Sequence, residues 1–110
     1  MNELDSKNVY ENYTNAINGM MVEGAQIGKV DLVIRAIDYG ANPKFNNSDA
    51  LQWAARGGHY KTVKYLVDHG ADPTADNNNA LRWAEHNNHR TTKYYLQEVL
   101  GLREPSELLN

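Results

Sequence analysis

Four histidines, at positions 59, 69, 86 and 89, are the side chains of this sequence best suited to hold a metal or carry a proton. His86 and His89 stand three apart, which suits one helical face. However, Asn87-Asn88 between them reads as a helix break, and with no cysteine in the chain no zinc ligand set is completed. No metal and no cofactor is expected. Catalysis would need a nucleophile, a matched base and an oxyanion or metal site converging in one pocket. The sequence holds no glycine-rich phosphate loop, no Gly-x-Ser-x-Gly turn and no His-Glu zinc helix. Carboxylates such as Asp31, Asp38 and Asp68 fall at positions that read as solvated helix surface, so the chain is read as a non-enzyme. Trp53 and Trp83 are the other residues with distinctive chemistry, since an indole can stack on a base or a sugar or fill a core.

Composition narrows the partners. The 110 residues make one domain, and 41% hydrophobic with 23% charged residues is too apolar for a wholly disordered chain. Lysine and arginine total 11 against 14 acidic residues, so a basic footprint for nucleic-acid phosphates is missing. The absence of cysteine removes disulfides and thiolate chemistry together. No apolar run approaches the ~18 residues of a membrane span. The opening MNELDSKNVYENYTN lacks the basic-then-apolar order of a secretory signal. The expected location is the cytoplasm, or the host cytoplasm for a viral source. Asparagine abundance, notably NNN at 77–79, reads as compositional bias.

The elements that must position these residues repeat. At a step of thirty, Ala50, Leu51, Trp53, Ala54 and His59 recur as Ala80, Leu81, Trp83, Ala84 and His89. One step back, Gly70-Ala71-Asp72-Pro73 pairs with Gly40-Ala41-Asn42-Pro43, and Gly58 with Gly28. Such a period marks stacked supersecondary units, none able to bury its apolar face alone. In the middle copy Asp49 reads as an N-cap for ALQWAAR, Gly57-Gly58 as its stop, and HYKTVKYLVDH as a second helix. Thr62, Val63, Leu66 and Val67 fall on one face of that helix. Gly70 closes it, Pro73 forbids its continuation, and Asn79 reads as the next N-cap. In the first copy Glu23 stands in the tryptophan position and Gly24 in the alanine position. In the last copy Lys93 replaces Val63, as expected of a unit whose edge meets solvent.

ALQWAA, GGH, VKYLV and GADP at fixed offsets resemble the ankyrin repeat, over about residues 19–100. The resemblance implies an all-α solenoid of stacked antiparallel helix pairs, in repeats of about 19–48, 49–78 and 79–100. A period of thirty against the family's usual 33 implies short inter-repeat loops, with tight turns in place of projecting hairpins. The family's Thr-Pro-Leu-His opening is Asp49-Ala50-Leu51-Gln52 and Asn79-Ala80-Leu81-Arg82 here. The hydroxyl–imidazole bonding that couples repeats is therefore missing, and weaker coupling is expected. Residues 1–18, with Val9, Tyr10, Tyr13 and Ile17 near helical spacing, read as a capping helix over the N-terminal end. Residues 101–110 read as a tail or a short helix starting at Pro105.

The family pattern places Leu51, Trp53, Val63, Leu66, Leu81, Trp83 and Leu96 in the core, and His59 and His89 at turns that bond neighbouring backbone. A burial of that kind predicts a loss of about 3–5 kcal/mol for Trp53→Ala. Ankyrin repeats bind other proteins through loop tips and the exposed edge of each first helix. By position, this selects Lys44, Phe45, Asn46 and Asn47 at one tip, and Thr74, Asp76, Asn77 and Asn78 at the next. On the helix edges it selects Gln52, Arg56, Arg82, Glu85 and His86. The function implied is binding of another protein by a monomeric, free-standing inhibitor or adaptor, with viral or microbial counter-defence or immunity as the setting suggested by analogy. Two rivals stay open. One is a homodimer through Tyr10, Tyr13, Tyr60, Tyr65, Tyr94 and Tyr95, and the other is a nucleic-acid or nucleotide binder using Arg56, Arg82, Arg90 and Lys93.

Overall fold

The computed structural model describes residues 3–102, with the backbone alone for residues 3–7. Among these residues the chain forms six helices and no strand: α1 (Glu3–Ile27), α2 (Val30–Asp38), α3 (Phe45–Arg56), α4 (Tyr60–Asp68), α5 (Ala75–His86) and α6 (Arg90–Val99). The residues expected to form a short helix from Pro105 lie outside the described range.

The helices pair as α1/α2, α3/α4 and α5/α6, and the step of thirty recurs in the bonds that close each pair. The N–H groups of Lys29, His59 and His89 donate to the carbonyls of Gly24, Ala54 and Ala84, each at 2.9 Å. Buried side chains then line up in columns running through the stack. Met21, Leu51 and Leu81 form one column, Ala36, Leu66 and Leu96 a second, and Val33 and Val63 a third that ends at half-buried Lys93. No pair could hide these residues by itself, so each unit is stable only against its neighbours.

The loops differ from the sequence reading. Asp49 and Asn79 make no capping bond to the first turn. The chain enters each inner helix through three consecutive residues in the left-handed region instead: Asn46, Asn47 and Ser48 (φ 51°, 60° and 58°), then Asp76, Asn77 and Asn78 (φ 53°, 57° and 61°). A left-handed turn costs ~1–2 kcal/mol per ordinary residue, least for asparagine and aspartate, whose short polar side chains tolerate it. Five of the six positions are Asn or Asp, so this turn gives the asparagine run a conformational cause that composition alone could not supply. The single tight turn also replaces a hairpin finger, which is how the unit closes in thirty residues. Asn77→Val is expected to lower stability by about 1–2 kcal/mol although the residue is exposed, whereas Asn77→Gly stays within ~1 kcal/mol of wild type. Urea titration of both variants checks this; equal losses would mean that the turn's handedness does not matter.

Coupling between units uses other groups than the missing hydroxyl–imidazole pair. Ser48, 1% exposed, accepts the Asp72 N–H on its Oγ at 2.8 Å. Asn18, thirty residues earlier and 5% exposed, accepts the Asn42 N–H on its Oδ1 at 2.9 Å. In the opposite direction His59 Nε2 reaches the Gln26 carbonyl at 3.3 Å and His89 Nε2 the Arg56 carbonyl at 3.0 Å. Each junction is thus tied forward from its loop and backward from its turn.

The N-terminal helix runs without a break from Glu3 into the first unit's inner helix. Ile17 and Met21 are buried on it, and the Tyr13 hydroxyl donates to the Tyr39 carbonyl at 3.0 Å. Val9, Tyr10 and Tyr13 stay exposed.

Candidate protein-binding face

Helices α1, α3 and α5 pack more closely on one another than α2, α4 and α6 do. The buried alanines Ala25, Ala50, Ala54, Ala55, Ala80 and Ala84 let the inner backbones approach. Tighter spacing on one side bends the stack toward that side. The inner helices therefore line a shallow trough, walled at one edge by the left-handed turns.

Trp53 and Trp83 lie in this trough and not in the core. Both are half-buried, and neither joins the buried cluster that contains Leu51, Val63, Leu66, Leu81 and Leu96. The cause is positional. Ala54 and Ala55 on one side and Leu51 on the other fill the seam, which leaves residue 53 on the inner edge of the helix. The sequence held a signal for this, because Glu23 occupies the tryptophan position in the first unit. A site that takes a carboxylate in one copy is not a sealed interior.

The guanidinium of Arg56 lies 5.1 Å from the Trp53 ring centroid and 4.6 Å from that of Trp83, between the two indoles. Asp49 and Gln52 border one end of this group, and Gln26, His86 and Asn87 the other. Beyond Trp83 the trough continues to Asn79 and Arg82. Gln26, Asp49, Gly57, Asn79, Asn87 and both tryptophans are trough residues that the sequence did not mark for partner binding.

Of the residues it did select, Asn47, Gln52, Asp76 and Arg82 come together in a polar seam. Asn47 Nδ2 donates to Asp76 Oδ1 at 2.6 Å, and Gln52 Nε2 donates to Asp76 Oδ2 at 2.9 Å and to the Asn47 carbonyl at 3.0 Å. Asn79 Nδ2 donates to Gln52 Oε1 at 2.7 Å, and Arg82 donates to the Asp76 carbonyl at 3.1 Å. The Asn47–Asp76, Gln52–Asp76 and Asn79–Gln52 bonds fix the second and third units against each other along the trough's edge. Arg56 is held from behind as well, since its carbonyl accepts both His89 Nε2 and Asn87 Nδ2, the latter at 2.9 Å.

The remaining selected residues have other placements. Phe45 is half-buried and packs on the core. Lys44 is exposed, its N–H bonded to Asn42 Oδ1. Thr74 donates its N–H and its hydroxyl to Asp72 Oδ1 at 2.9 and 2.7 Å. The Thr74 hydroxyl, and after it the Thr74 N–H, holds the Asp72 carboxyl below the usual carboxylate range. Asn46, Asn77 and Asn78 shape the left-handed turns. Glu85 is exposed at the position where the preceding unit buries Ala55, so it marks the open end of the seam and not the trough.

The surfaces invoked by the rival readings are dispersed. Tyr60 meets Tyr95 edge-on at 5.6 Å and Tyr65 stacks on His69 at 3.9 Å, so these tyrosines pack within the chain. Arg90 and Lys93 lie on outer helix α6, away from Arg56 and Arg82 on the inner layer. Among the described residues no group of three or more His, Cys, Asp or Glu is placed to hold a metal ion, and no helix is long and apolar enough to cross a membrane.

Comparison with curated proteins and with solved structures finds no match. The family pattern described as ankyrin repeats, in three copies, matches residues 20–101. With the recurring helix pairs, the thirty-residue bond pattern and the inner trough, this match shows that the chain belongs to the ankyrin-repeat family, a family of protein–protein interaction modules.

Proposed function

We propose that the chain acts by occupancy, as a monomeric cytoplasmic inhibitor or adaptor that covers a partner protein's surface with its inner trough. The observation that carries this reading is the Trp53–Arg56–Trp83 group. Two tryptophans and an arginine, the residue types that dominate binding energy at protein interfaces, stand half-open to solvent on a frame that fixes them before any partner arrives. Rigid presentation avoids the ordering cost that a flexible loop would meet on binding.

Cross-linking capture from native lysate tests the choice of face. The doubly substituted Trp53→Ser, Trp83→Ser protein is expected to lose the captured partner. Lys61→Glu, an exposed change on outer helix α4, is expected to keep it. Retention by the tryptophan variant together with loss by Lys61→Glu would move the binding surface to the outer layer. Light scattering at rising concentration is expected to return a constant monomer mass.

A further inference from the structure

Arg56 is arranged as a receptor with no protein ligand. Among the described residues no carboxylate forms an ion pair with it, and its side chain donates to no protein atom; the one ion pair there is Lys64 with Asp68 at 3.0 Å. The two indoles flank the guanidinium, which stays exposed to solvent with its N–H donors unused within the described residues. A planar fork placed against two aromatic rings, with no carboxylate of its own, matches a carboxylate with two parallel hydrogen bonds. The rings also favour the cation in place, so the charge needs no further ordering when the anion arrives.

The surroundings favour an anion on the His86 side of Arg56. From Trp53 past Arg56 to His86 the trough is bordered by Gln26, Gly57 and Asn87 and carries no acidic side chain. On the far side of Trp83 the border is Asn79, Arg82 and His86, again with no acid. Asp49 lines the hollow on the Gln52 side of Arg56 without pairing to it, Asp76 is engaged by Asn47 and Gln52, and Glu23 holds the tryptophan position of the first unit. Trp83 is therefore an apolar platform with a cation on either side, although the whole chain carries a net charge of −3.

We propose that the partner presents an acidic segment to this trough, with one carboxylate paired to Arg56 and an adjoining apolar side chain laid on Trp83. This rests on the protein-binding reading given above and assigns the chemistry of its partner. A nucleic acid is disfavoured by the same geometry, because Arg90 and Lys93, the other two basic residues of that reading, lie on α6 and do not extend the track of charge.

The chain's two tryptophans both lie in the trough, so indole fluorescence and the two indole N–H resonances report on it directly. The probes are a synthetic peptide of alternating glutamate and leucine, the same peptide with glutamine for glutamate, and a third with phosphoserine at the central acidic position. The glutamate peptide is expected to shift both indole signals saturably, to bind at least about tenfold more tightly than the glutamine peptide, and to weaken as salt rises. Arg56→Gln is expected to cost that peptide about 10- to 100-fold in affinity, and Arg56→Lys less, since the charge remains while the fork is lost. Equal binding of the glutamate and glutamine peptides, no indole shift up to about 10 mM peptide, or unchanged affinity in a folded Arg56→Gln protein would each overturn the assignment. So would a preference of tenfold or more for the phosphoserine peptide, which would reassign the site to phosphate. The broader reading fails separately: a captured partner lost by the tryptophan double variant but kept by Arg56→Gln leaves a protein-binding face whose ligand is not a carboxylate.

Discussion

Leu66→Ala is expected to destabilise the protein by about 3–4 kcal/mol, more than any single change in the trough. Leu66 is fully buried in the middle unit, in the column between Ala36 and Leu96. Removing its side chain loses the transfer free energy of three carbons and leaves a hole between α4 and its neighbours. Those neighbours are held by the turn bonds at His59 and Ala71 and cannot collapse into it. The middle unit has an interface on each side, so the loss is felt at both. Trp53→Ala offers the contrast. The half-buried ring faces a trough that water can fill, and its removal is expected to cost less than about 2 kcal/mol, well under the figure a core position would give. Urea unfolding of the two variants in parallel decides the matter. A larger loss for Trp53→Ala would place the indole back in the seam.

Gly58→Ala is the second large effect, expected at about 2–3 kcal/mol. Gly58 sits at φ +70°, where any Cβ costs ~1–2 kcal/mol. A Cβ there would also run into the His89 imidazole, which occupies that space while its Nε2 holds the Arg56 carbonyl. Displacing the ring gives up a hydrogen bond worth ~1 kcal/mol. The companion test is His89→Ala in the Gly58→Ala background. If the clash is the cause, the two changes together cost less than the sum of each alone. Strict additivity would assign the whole effect to backbone conformation. Asn88, thirty residues on, holds the same left-handed position at φ 60° without glycine, where asparagine, a residue that tolerates this region, meets the backbone demand.

The helix pairs, their period and the buried columns were legible in the sequence because each depends on local patterns: apolar spacing of three and four, a glycine stop, a proline past the helix end. Val63 and Leu66 could be placed in the seam from these patterns alone. The tryptophans could not, because large apolar residues in a first helix suit either a core or an inner edge, and the choice depends on how closely the neighbouring helix approaches. That approach is set by Ala54, Ala55 and Ala84, whose small volume was visible but whose consequence is tertiary. The three-residue left-handed turn was missed for a related reason. Asn and Asp are N-cap residues and left-handed residues alike, and a string of them does not say which. Ser48 and Asn18 as ties between units had no motif to announce them, since a serine and an asparagine do the same task with different atoms.

Because each junction is latched by a forward acceptor at position 18 or 48 and a backward imidazole at position 59 or 89, the segment 43–72 presents a plug at one edge and the matching socket at the other. A tandem duplication of those thirty residues would find its own bonding partners already in register on both sides. The array can then gain length in whole modules without renegotiating its ends, and every module gained would add another rung to the trough.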